Sequence, residues 1–178
     1  MTDPGWTGSS TPYLKPSMGD TWQQEAATAG GRGGQRILFA GEVNAPAEIA
    51  RALGVAPGTA VGTRRRLVLL DDRPVEVADS YWPADVARGT ALTEQRKIRG
   101  GAVSLLTELG YTPGSVDERI ATRPPTRQEL QDLRIADEAE WVLTLTRVIA
   151  NQDGTPYEVT AMVMPGRIGR LNYSMKVD

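Results

Sequence analysis

Cysteine and histidine are both absent from this 178-residue chain. Without cysteine there can be no disulfides, thiolate nucleophiles, zinc ribbons or iron–sulfur clusters. Without histidine the usual ligands of zinc, copper and iron are missing, as are the Ser–His–Asp and Cys–His nucleophile systems and the commonest general base near neutral pH. Catalysis would have to run on carboxylates, Lys, Tyr or Arg, and neither cofactor nor metal is expected. A basic surplus is lacking too. The 20 Lys and Arg against 22 Asp and Glu leave a net charge of -2, the wrong sign for a chain whose main partner is nucleic acid, because phosphate binding needs excess cations to release counterions. No apolar run approaches the roughly 20 residues of a membrane span. The N-terminus carries no apolar stretch of the kind that makes a signal peptide. A cytoplasmic chain with no membrane partner is expected.

What is present is a 40% hydrophobic composition, enough for one well-buried core but short for two ordinary domains. Residues 1–36 are rich in Gly, Pro, Ser and Thr and end near Gly30-Gly31-Arg32-Gly33-Gly34, the composition of a flexible segment. Within them Trp6, Tyr13, Leu14, Trp22 and the helix-compatible stretch Asp20 to Ala29 could pack on the core or on a second subunit. The Arg32-Gly-Gly loop reads first as a linker and second as an anion cradle of bare amides. Residues 37–178 read as one folded domain.

There, Ile37 to Val43 reads as a strand, and Asn44 with Pro46 starts a helix from Ala47 to Leu53 that stops at Gly54. A strand from Ala60 to Leu70, a turn at Asp71-Asp72-Arg73 and a return strand from Pro74 to Trp82 follow. Ala84 to Ala87 fits a short helix, Gly89 to Gly101 an irregular connection, and Val103 to Leu109 a helix. The second half then repeats the first. Pro124-Pro125-Thr126 opens a helix from Arg127 to Leu133, a strand runs from Trp141 to Ala150, and a return strand runs from Pro156 to Met164. Pro74-Val75-Glu76 to Pro83 has the same spacing as Pro156-Tyr157-Glu158 to Pro165, and Arg147 is the counterpart of Arg66. A duplicated strand–helix–hairpin unit implies an α+β fold, a largely antiparallel sheet with helices on one face. Trp141, opening its strand, reads as core.

Side chains alternate across a strand, so Arg64, Arg66 and Val68 share one face and Arg65 and Leu67 the other. If Leu70 pairs with Pro74 across a three-residue turn, Arg64 lies opposite Ser80, Arg66 opposite Ala78 and Val68 opposite Glu76. Two guanidiniums, a carboxylate and a hydroxyl then share a face, and suit an anionic ligand that also carries hydroxyl or amine groups. The repeat adds Glu158, equivalent to Glu76. The same parity also fits a solvated hairpin face with a surface Arg66–Glu76 ion pair.

Several runs carry a family resemblance: AEIARALGV from Ala47, GTRRRLVLLDDRPVEVADSYWP from Gly62 to Pro83, GAVSLLTELG from Gly101 to Gly110, the stretch from Leu130 to Val148, and GTPYEVTAMVM from Gly154 to Met164. In this order and spacing, over residues 37 to 177, the chain resembles the effector-binding UTRA domain of the HutC branch of GntR-type bacterial transcription regulators, in a wording that looks actinobacterial. The resemblance implies a chorismate-lyase-like fold, with a six-stranded antiparallel sheet flanked by helices, and a homodimer. It further implies a site for a sugar phosphate, a carboxylic acid or an amino acid derivative. Arg64 and Arg66 would hold the anion, helped by Ser104 near a helix N-terminus, and Glu76 and Glu158 would hold polar groups. Two departures stand out. The winged helix-turn-helix through which such regulators bind DNA has no counterpart in residues 1–36, and Met164-Pro-Gly-Arg-Ile168 replaces an aromatic and arginine–aspartate pattern. A non-enzymatic sensor is the leading expectation. A chorismate-lyase-like enzyme with Glu76 or Glu158 as general acid, and an interaction module with a vestigial pocket, are the alternatives.

Overall fold

The structure, a computed structural model, describes residues 6–8, 14, 21–28, 30–136 and 139–173. In chain order the elements are β1 (Trp6–Gly8), α1 (Thr21–Thr28), β2 (Gly33–Asn44), α2 (Ala47–Leu53), β3 (Ala60–Leu70), β4 (Arg73–Pro83), α3 (Ala84–Ala87), a 3-10 turn (Ala91–Thr93), α4 (Gly101–Glu108), β5 (Ser115–Arg123), α5 (Arg127–Asp132), β6 (Val142–Ala150), β7 (Pro156–Pro165) and β8 (Gly169–Leu171). Six strands form one antiparallel sheet in the order β2-β3-β4-β7-β6-β5, and β1 pairs in parallel with β8. The class is α+β, as expected.

Local chemistry accounts for most boundaries. Gly54 ends α2 in the left-handed region at φ 70°, its amide reaching the carbonyls of Ala50 and Arg51. Thr126 opens α5 with a reciprocal capping box to Glu129. Asn44, expected to cap α2, instead ends β2 opposite Ala60. The β3–β4 turn is shorter than expected. Asp71 and Asp72 both take positive φ, at 49° and 62°, and Leu70 pairs with Arg73, a two-residue turn suited to the strand twist. A bulge between Val68 and Leu69 then supplies the missing residue, so Arg64 still lies opposite Ser80, Arg66 opposite Ala78 and Val68 opposite Glu76.

The end of the glycine-rich run, Gly33 and Gly34, is ladder rather than linker. β2 starts at Gly33, four residues before the expected Ile37, and Gly33 and Gly34 pair with Leu70 and Leu69. Gly33 lies against α1, where a Cβ would come within 2.8 Å of the Trp22 carbonyl oxygen and 3.0 Å of the Ala26 Cβ. The backbone amide of Arg32 donates to the Asp71 carboxylate at 2.8 Å, so the loop's anion is one of the chain's own side chains. Trp22 is 2% exposed and Ala26 fully buried. Tyr13 and the ends of the Asp20 to Ala29 stretch lie outside the described residues.

Helices cover both faces of the sheet, not one. α1, α3, α4 and the 3-10 turn cover the face that bears Arg64 and Arg66, through Trp22, Val86, Leu92 and Leu106. α2 and α5 cover the opposite face through Ile49, Leu53 and Leu133. There Arg65 ties sheet to helix, donating to Asp79 and to Asp132 at 2.9 Å each. Trp141 sits just ahead of β6 and is 55% exposed, so it is not core.

The duplication is visible in the register. Each half runs strand, helix, hairpin: β2-α2-β3-β4 and β5-α5-β6-β7. The halves meet where β4 pairs with β7, centred on Asp79 opposite Ala161. Val77–Val163 and Tyr81–Val159 flank that centre as repeat-equivalent pairs. The second hairpin also carries a bulge, between Ile149 and Ala150. Val75 and Tyr157 are the residues left over at the two bulges, and both join the clusters under α1 and α4 on the arginine face.

Candidate functional site

One rung of residues crosses all six strands on the arginine face: Ala40, Arg64, Ser80, Thr160, Arg147 and Glu118. Five of the six are polar, in the middle of a face otherwise packed with apolar side chains. The cluster of Trp22, Val68, Ala78, Leu145 and Met162 lies on one side, and that of Trp82, Leu92, Leu106, Ile149 and Tyr157 on the other. Arg64, Glu76, Ser80, Arg147, Glu158 and Thr160 are all buried. Buried polar groups must be hydrogen-bonded or they destabilise the fold, so each one's partners tell what the rung is for.

From Arg66 to Glu158 the bonds run in a fixed direction. Arg66 Nη2 lies 3.4 Å from Ser80 Oγ, Ser80 Oγ lies 2.9 Å from Thr160 Oγ1, and Thr160 Oγ1 donates to Glu158 Oε1 at 3.1 Å. Thr160 has one hydroxyl proton and gives it to Glu158, so Ser80 donates to Thr160 and accepts from Arg66. The second Glu158 oxygen accepts from Trp82 Nε1 at 2.9 Å. Arg147 Nε donates to Glu118 Oε1 at 2.6 Å, and the Tyr173 hydroxyl donates to Glu118 Oε2 at 2.8 Å.

The residues singled out in the sequence are therefore treated differently. Arg64 turns its guanidinium to the 3-10 turn and the segment after it, donating to the carbonyls of Glu94 at 2.6 Å, Arg96 at 2.5 Å and Ala91 at 3.4 Å. Burial, with Arg66 and Arg96 nearby, pulls its pKa down to about 10, so it keeps its charge at neutral pH. This clasp orders the connection that the sequence marks as irregular. Arg66 is less satisfied: its Nε is buried and has no hydrogen-bond partner among the described residues. Glu76 is 8% exposed and accepts no hydrogen bond among the described residues. Burial pushes its pKa up to about 7 against the pull of the Arg66 and Arg147 guanidiniums, and Glu25 on α1 pushes the same way as burial. Ser80 is in the row and Glu158 closes it. The Ser104 hydroxyl donates to the Gly100 carbonyl at 2.8 Å, one turn back in the chain.

Sequence reasoning left Arg147 and Thr160 out of the site. Arg147 was legible as the repeat counterpart of Arg66, and Thr160 stands two residues after Glu158 on the same strand face. Glu25 carried no signal, because nothing in the sequence says which side of α1 meets the sheet. Beyond Glu158 a small cleft opens between α4 and β6–β7, lined by Leu14, Val103, Leu106, Tyr111, Ile149 and Tyr157. Among the described residues no group of acidic side chains is disposed to hold a metal ion, and no helix is long and apolar enough to cross a membrane.

The UTRA domain family model matches residues 28–168. The chain belongs to the UTRA family. The match takes in the whole six-stranded sheet and begins at the end of α1, which sets the family's unit slightly ahead of Ile37. Two curated relatives are similar to this UTRA domain. One is an uncharacterised HTH-type transcriptional regulator of Streptomyces coelicolor, 33% identical over 138 residues that make up 76% of this chain and 51% of the relative. The other is an uncharacterised HTH-type transcriptional regulator of Rhizobium meliloti, 31% identical over 126 residues, 70% of this chain and 50% of the relative. The chain thus spans about half the length of each. Among solved structures, PhnF from Mycobacterium smegmatis superposes with a TM-score of 0.80 at 20% identity, covering 99% of this chain and 74% of that one. The C-terminal domain of the histidine utilization repressor from Pseudomonas syringae superposes with a TM-score of 0.67 at 19% identity, covering 82% and 100%. At those identities the likeness establishes the fold alone.

Proposed function

We propose that this UTRA domain is the effector-sensing part of a GntR-type transcription regulator of the HutC branch, acts without catalysis, and binds a small anionic metabolite on its arginine face. The observation that carries the reading is the Arg66 guanidinium, set in a buried polar row with its Nε unpaired. An orphaned buried donor costs stability on the order of 1–3 kcal/mol, and an acceptor oxygen from a phosphate or carboxylate would relieve that cost. Arg64 adds its charge and holds the 91–96 segment beside the rung. The relatives' description as HTH-type regulators supports a role in which DNA is contacted by a winged-helix domain outside the sensing fold, two sensing domains form a homodimer, and the protein works in the cytoplasm. A ligand that prefers one dimer geometry would shift the population towards it.

A thermal-shift screen of phosphorylated sugars and small carboxylic acids tests the reading. At least one such anion is expected to raise the melting temperature of the wild type, and R66A is expected to abolish most of that rise. A screen in which every anion acts equally on the wild type and R66A would refute it.

A further inference from the structure

The duplication provides an internal comparison, because it gives the arginine face two equivalent arginine–glutamate pairs. Arg66 corresponds to Arg147 and Glu76 to Glu158, and the strand registers preserve the relation. Arg66 lies opposite Ala78 as Arg147 lies opposite Thr160, and Val68 opposite Glu76 as Ile149 lies opposite Glu158. The two pairs differ in what fills them. Arg147 is bonded to Glu118, and both Glu158 oxygens are occupied, by Thr160 and by Trp82. In the other copy, among the described residues, Arg66 Nε has no partner and the Glu76 carboxyl accepts nothing, although Glu76 is equally buried.

From this contrast we infer that the Arg147–Glu158 pair is a structural brace, while the Arg66–Glu76 pair is kept open for a ligand that carries an acid group and an amine within a few ångströms of each other. The inference rests on the arginine face being the effector site, and it narrows the ligand class. An acceptor is needed at Arg66 and a donor at Glu76, and a plain anion supplies only the first. A bare dianion would leave the buried Glu76 carboxyl without a donor, and burying an unpartnered polar group is costly. An amino acid or an aminoalkyl phosphate adds little or no net charge and satisfies both open groups.

The test uses β-alanine, phosphoethanolamine, propionate, ethylamine and inorganic phosphate at equal concentration and pH 8, read by thermal shift. At least one of the two amine-bearing acids should raise the melting temperature at least about twofold more than any single-function probe, since stabilisation follows the logarithm of ligand over Kd. In E76Q that advantage should vanish, leaving the response of the matching simple anion. If phosphate or propionate matches the amine-bearing acids in the wild type, or E76Q keeps their advantage, the inference is overturned while anion sensing at Arg66 survives. If no probe acts and the wider anion screen is also silent, both fall.

Discussion

At the scale of single residues, the arginine face is governed by how fully each buried charge is paired. Arg64, Arg147 and Glu158 are held by carbonyls, a carboxylate, a hydroxyl and an indole, whereas the Glu76 carboxyl accepts no hydrogen bond among the described residues. Its pKa of about 7, raised mainly by burial, stands above the 4.5 of the unfolded chain, so between those values the folded state holds a proton that the unfolded state has released. Stability from this group is therefore greatest below about pH 4.5 and is lost as pH rises to about 7. Arg66, Arg147 and Glu25 face the carboxyl and set the balance. Glu76→Gln removes the titration. It should raise the unfolding free energy by about 1–2 kcal/mol at pH 8 and by clearly less at pH 5, as read from urea midpoints. An equal change at both pH values would mean that Glu76 is not a strained acid.

At the scale of elements, α1 is the lid of this face. Trp22 fills the cluster with Val68, Ala78, Leu145 and Met162, and its indole donates to the Leu69 carbonyl at 2.9 Å. Trp22→Ala should cost about 3–5 kcal/mol, the range for deleting a buried aromatic. Gly33→Ala should cost about 1–3 kcal/mol by overpacking against the α1 backbone. Chemical denaturation measures both, and a neutral Gly33→Ala would show that α1 can shift without consequence. α1 was legible only as a helix-compatible stretch with an apolar Trp22, since the glycines after it read as flexible although Gly33 is a close-approach position against α1. β3 was legible to the residue at both ends, and β4 to within one residue at each, because their apolar runs and flanking turn residues agree. β5 went unread. It is an edge strand exposed along most of its length, with Val116 and Ile120 as its only large apolar residues, so burial left little imprint on its sequence. The expectation of helices on one face failed for a related reason. α5 buries only Glu129 within its bounds, and its apolar contact comes from Leu133 just past the end, too short a pattern to show which face it covers.

At the scale of the whole molecule, an internal two-fold relation places two hairpins side by side and brings their arginines and glutamates onto one buried face. The proline and glutamate spacing carried that relation in the sequence, and strand parity carried the facing of Arg64, Arg66, Glu76 and Ser80. Neither could tell a satisfied charge from an open one, because partners such as Trp82, Glu118 and the 91–96 carbonyls come from elements distant in the chain. The central claim is that the open pair, Arg66 and Glu76, receives the effector. A crystal structure of the domain with the acid that stabilises it most tests this directly. The account predicts an acid oxygen within about 3 Å of Arg66 Nε, with Arg147 still on Glu118 and Glu158 still on Trp82. A ligand bound away from the arginine face, or bound there with Arg66 Nε still unpaired, would contradict it.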